Sequence, residues 1–64
     1  MPAQPPRLPA DLIVRLVDTF TRRGWKLPMC HAADVMPMFD HGTERERAAA
    51  AKLIDAGRVF YLPE

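Results

Sequence analysis

Thr43–Val59 reads TERERAAAAKLIDAGRV, and this stretch decides the fold. Thr43 followed three residues later by Glu46 is a capping box, a strong signal for a helix start. Four alanines, Ala48 to Ala51, carry the highest helix propensity. Gly57 supplies a stop, so the helix is expected to end near Ala56. Arg58-Val59-Phe60-Tyr61-Leu62 is β-branched and aromatic, which predicts a strand. Around the helix, Ala50, Leu53, Ile54 and Gly57 fall on one side. Arg45, Ala48, Lys52 and Asp55 fall on the other.

Upstream, the pattern predicts a helix from about Pro9 to Arg23. Proline suits the first helical position, and Asp11 suits the first turn. Leu12, Leu16 and Phe20 recur every four residues, flanked by Ile13 and Val17, which makes one broad apolar face. Asp11–Arg15 and Asp18–Arg22 have the spacing of acid-then-base pairs on the outer face. Gly24 ends this helix. Trp25-Lys26-Leu27-Pro28 then reads as a short strand, with proline at its end. Pro37 is tolerated in the first turn of a helix capped by Asp34, so a short helix is expected from about Ala33 to Phe39. Val35, Met36 and Phe39 would face inward, and Asp40-His41-Gly42 would turn. The expected core joins Leu16, Val17, Phe20, Trp25, Leu53, Ile54 and Val59.

The resulting class is mainly α with a small β component: three helices and a two-stranded sheet over residues 9–62. Residues 1–8 hold Pro2, Pro5 and Pro6 and read as a proline-rich flexible tail. At 64 residues there is room for one small domain and none for a barrel or doubly wound sheet. Nine of the apolar residues are alanine, so the core is small.

The order helix, strand, helix, turn, helix, strand resembles a winged-helix-turn-helix domain. His31-Ala-Ala-Asp-Val-Met resembles the entry to the first helix of the pair. Asp40-His41-Gly42-Thr43 resembles the turn. Leu53-Ile54-Asp55-Ala56-Gly57-Arg58-Val59 is similar to the family's exit from the recognition helix into a strand. The resemblance implies that the third helix lies in the major groove, with its N-terminal residues nearest the bases. The family continues into a wing hairpin. This sequence holds at most the first wing strand, which would pair with Trp25–Leu27.

Net charge is only +1, but its distribution is uneven. Residues 1–33 carry five basic and two acidic side chains, +3; residues 34–64 carry four and six, −2. Arg45, Arg47 and Lys52 on the third helix are the foremost nucleic-acid candidates: arginine can read guanine and lysine can meet phosphate. Glu44 and Glu46 at the same helix start oppose phosphate. Arg22, Arg23 and Lys26 form a second basic cluster, which also suits the negative end of the first helix.

Met29, Met36, Met38, Phe39, Phe60 and Tyr61 form a large soft apolar set. Met38, Phe60 and Leu62 are therefore candidates for a partner or homodimer surface. The partner is DNA on the first reading. On the second it is a protein, bound by an inhibitor, adaptor or small subunit built on the same scaffold.

Cys30, His31, Asp34, Asp40 and His41 match no zinc spacing, and no metal site or cofactor is expected. They read instead as a half-buried cysteine and two surface or turn histidines. With no phosphate loop and no nucleophile triad, the chain is not expected to be an enzyme. A lone cysteine, no signal peptide and no long apolar run point to a soluble cytoplasmic protein without a membrane span.

Overall fold

The computed structural model describes residues 4–61. Three helices surround one core: α1 (Ala10–Arg23), α2 (Ala32–His41) and α3 (Glu44–Asp55). Two short strands, β1 (Cys30–His31) and β2 (Val59–Phe60), pair in parallel with Cys30 opposite Val59 and His31 opposite Phe60. This is a mainly α fold with a small β component, as the sequence indicates.

Both long helices end in the same way. Gly24 adopts φ 69° and Gly57 φ 68°, the left-handed region open to glycine. After α1, the Gly24 N–H donates to the Thr21 carbonyl and the Trp25 N–H to the Phe20 carbonyl. After α3, the Gly57 N–H donates to Ile54 and the Arg58 N–H to Leu53. This paired pattern satisfies carbonyls that the helix end would leave bare. It also corrects the strand expected at Trp25–Leu27. Trp25 turns back so that its ring meets Phe20 edge to face at 5.4 Å, the apolar contact that accompanies such a terminus. Trp25 is 54% exposed, outside the core. The strand forms further on, at Cys30–His31.

Helix α3 starts as expected. The Thr43 hydroxyl accepts from the Glu46 N–H at 3.2 Å, and the Glu46 carboxylate accepts from the Thr43 N–H at 2.7 Å. Only Gly42 and Thr43 separate α2 from α3, a tighter connection than the Asp40-His41-Gly42 turn, since His41 completes α2. A side chain at Gly42 would run into the Met38 carbonyl and lie 2.9 Å from Glu46 Cβ. Glycine is therefore set here by close approach, not by its backbone angles.

Helix α2 is longer than its sequence implied and is capped differently. His31 is the N-cap: its Nδ1 accepts from the Ala33 N–H at 3.1 Å. Asp34 does not cap. It receives Arg7 in a two-pronged pair, with Nε at 2.9 Å and Nη2 at 2.8 Å, and accepts the Leu8 N–H at 3.1 Å. Arg7 and Leu8 are thereby fastened to α2, and Leu8 packs on the core. Pro37 lies within the helix, where it deprives the Ala33 carbonyl of a donor. Both residues are exposed.

The buried core is Ile13, Val17, Cys30, Val35, Met38, Ala49, Ala50 and Leu53. Val17 and Leu53 are buried as expected, while Val59 is half-buried and packs against the core. Leu16 and Phe20 are only half-buried, and Ile54 is exposed. On α1 the face centred on Ile13 and Val17 is the one that is buried, with Val14 packed beside it, and the Leu12-Leu16-Phe20 row lies at the margin. On α2, Val35 and Met38 take the inward side. Phe39 is exposed and Met36 half-buried.

Leu53→Ala should cost about 2–5 kcal/mol of unfolding free energy, the range for a fully buried leucine. Leu16→Ala should cost clearly less. Equal losses in urea titrations would show that α1 buries its other face.

Candidate nucleic-acid interface

Arg45, Arg47 and Lys52 are exposed on α3, and among the described residues none has an ion-pair partner. They do not form one cluster. Arg45 and Lys52 stand seven residues apart on the flank facing α1, and both line the α1–α3 groove. Arg47 is two residues beyond Arg45, so it stands roughly 160° round the helix. Between these flanks, Ala48 and Ala51 are exposed and leave the helix backbone approachable. Glu44 stands at the N-terminal end of the same face. Glu46 is half-buried and turned into the cap.

The groove has two hollows. One, of about 350 Å³, is lined by Asp11, Val14 and Arg15 of α1 and by Thr43, Arg45 and Glu46. The other, of about 150 Å³, lies beside Asp18, Ala48 and Lys52. Arg15 is the residue that sequence reasoning missed. Its spacing from Asp11 suggested a pair on the surface, yet no such pair forms; among the described residues only Asp18–Arg22 closes at that spacing, at 3.4 Å.

The second basic cluster is partly committed. Arg22 pairs with Asp18, and the Arg23 guanidinium lies 5.0 Å from the centre of the Trp25 ring. Both line a surface depression with Thr19. Lys26 is exposed on the segment after α1.

The expected partner surface is redrawn. Met38 is only 2% exposed, because it fills the space under α3, so it cannot serve as a contact. Phe60 is half-buried, its ring 5.7 Å from that of His31. Leu62 lies outside the described residues. Among the described residues, the exposed large apolar side chains are Trp25, Phe39, Ile54 and Tyr61.

Cys30 and His31 are buried, unlike the half-buried thiol and surface imidazole expected of them, because β1 lies against the core. Burial pushes the Cys30 thiol upward; Asp34 adds to this and Arg58 opposes it. The thiol therefore stays protonated and shielded. The Asp34 carboxyl is held below its usual range, first by the Arg7 hydrogen bond; burial opposes this, and the Leu8 N–H and the Arg7 and His31 charges reinforce it. Among the described residues, no group of three His, Cys, Asp or Glu side chains is placed to hold a metal ion. No described helix is long and apolar enough to cross a membrane.

No family model matches the chain, and no curated protein or solved structure does so at a significant level.

Native Cys30 should resist a water-soluble thiol reagent and react fully in denaturant. Rapid labelling of the native protein would place β1 at the surface. The Asp34 contribution follows from its lowered folded value: it is present above the ordinary aspartate range and lost as pH falls through the folded value. Asp34→Asn should thus flatten the acid side of the stability profile, read from melting temperatures between pH 2 and 6. An unchanged profile would mean the Arg7 contact does not hold in solution.

Proposed function

We propose that the chain is a non-enzymatic helix-turn-helix module that binds duplex DNA, a small regulator or accessory factor in which α3 enters the major groove. One observation carries this reading: α3 presents cations that have no ion-pair partner among the described residues on both flanks of a small-residue face. A helix lying in the groove meets a phosphate strand on either side and base edges in front. Arg47 on one flank and Arg45 with Lys52 on the other suit that arrangement. Ala48 and Ala51 let the helix come close. Glu44, at the leading end, is an acceptor suited to the amino group of cytosine. One short helix supplies few contacts, so binding as a homodimer to two half-sites belongs to the same proposal.

The exposed Trp25, Phe39, Ile54 and Tyr61 favour a second reading, a protein-interaction module.

Anisotropy titrations against duplex DNA at two salt concentrations separate the two. On the first reading, wild type binds with a marked salt dependence, and Arg45→Glu weakens binding by about 1–3 kcal/mol. Its melting temperature stays unchanged, because Arg45 is exposed. Wild-type affinity equal to that of a neutral control protein would remove the DNA reading. Loss of self-association in Phe39→Ser or Tyr61→Ser would then support the second.

A further inference from the structure

Arg15 projects from α1 into the same hollow that Arg45 lines from α3. Two guanidinium groups facing one small hollow repel each other unless an anion lies between them. Asp11 and Glu46 line the same hollow and offset these two charges, so the excess belongs to the groove as a whole. Asp18, further along, is paired with Arg22. The groove then sets Arg15, Arg45 and Lys52 against Asp11 and Glu46, and the Glu46 carboxylate is turned to the Thr43 N–H. Arg45 and Lys52 are seven residues apart, about 10 Å along the helix. A small anion cannot span that distance, whereas a sugar-phosphate strand can. Between these cations the groove is lined by the uncharged Val14, Val17, Ala48 and Ala49.

We infer that Arg15 is a phosphate-contacting residue, and that the α1–α3 groove carries one backbone strand of the duplex over Arg15, Arg45 and Lys52. This rests on the DNA reading above and extends its surface from α3 onto α1. Arg22, closed onto Asp18 and lining a different depression, lies off this track.

The test is the slope of log affinity against log salt for one duplex DNA. Each phosphate contact contributes about −0.9 to that slope. Arg15→Gln should make it shallower by about one unit, Arg15→Lys should restore it, and Arg22→Gln should leave it unchanged. Arg15 is exposed, so circular dichroism melts should match wild type. A wild-type slope in Arg15→Gln, with Arg45→Gln shallower, would overturn the inference and leave the DNA reading standing. A loss in Arg22→Gln equal to that in Arg15→Gln would also overturn it, since binding would then follow total charge. Absence of salt-dependent binding by wild type would remove both.

Discussion

The reversal of the chain at Gly57 fixes where the rest of the molecule begins. With φ at 68°, Gly57 turns the chain so that Arg58 lies beside the segment leaving α1. There the Arg58 Nε donates to the Leu27 carbonyl at 2.8 Å, and the Arg58 carbonyl accepts from the Cys30 N–H at 3.0 Å. These two bonds set β1 at Cys30–His31 and its register with Val59–Phe60. His31 is then the last residue before α2 and caps it through Nδ1. A helix begun at Ala32 points Val35 and Met38 at α3 and leaves Pro37 outside. The parallel bridge is only two residues long, so its own hydrogen bonds are few. Its value is positional: it ties the end of α3 to the start of α2 and closes the chain around the core.

The α3 side of that core is built on alanine, and this bears on both faces of the helix. Ala49 and Ala50 are buried with Leu53, which lets α1 and α2 approach the helix closely. Close approach suits a chain with few large apolar side chains, because interior contacts weaken quickly with separation. Ala48 and Ala51 repeat the same economy outside. A helix with alanine all round has little to hold it except propensity, its caps and its neighbours. The capping box at Thr43 and the paired carbonyl bonds at Gly57 therefore matter more here than in a leucine-rich helix.

The parts of this fold legible in the sequence are those whose chemistry is local. Thr43 and Glu46 satisfy each other across three residues, and Gly24 and Gly57 end their helices by taking the left-handed conformation themselves. What escaped depends on a distant partner. Asp34 looked like a cap until Arg7, twenty-seven residues earlier, reached its carboxylate and left the cap to His31. Trp25 looked like a strand residue because alternation with Leu27 is a local pattern. The helix terminus draws it back to Phe20, a contact that the Phe20-Gly24-Trp25 spacing favours as much as alternation favours a strand. Leu16 and Ile54 fall on the apolar faces of their helices yet outside the buried core, because apolar periodicity gives the width of a face, not its centre. The centre depends on the angle at which α1 and α3 cross. At the candidate interface, the exposure of Arg45, Arg47 and Lys52 was legible. Their division between two flanks followed from spacing alone, but Arg15 could join them only once α1 lay beside α3.

Net charge is a poor guide to what such a small surface can bind. Of the nine basic side chains, Arg7 and Arg22 are paired with the carboxylates of Asp34 and Asp18. A charge paired with its opposite has its field largely cancelled at a distance, whereas Arg23 on an aromatic face, Arg58 on a carbonyl and Glu46 on an N–H keep theirs. Among the described residues the field a partner meets comes from Arg15, Arg23, Lys26, Arg45, Arg47, Lys52 and Arg58 against Asp11, Asp40, Glu44, Glu46 and Asp55. The placement matters more than the count. Arg15, Arg45, Arg47 and Lys52 stand on α3 or across its groove, and Asp11, Glu44, Glu46 and Asp55 stand on the same two helices. Screening limits the reach of each charge to about 10 Å at ordinary salt. A polyanion on this side therefore meets alternating charge, not an excess of one sign. The arginine and lysine side chains are longer than the acids between them, so what such a face offers phosphate is set by reach and position and not by net charge.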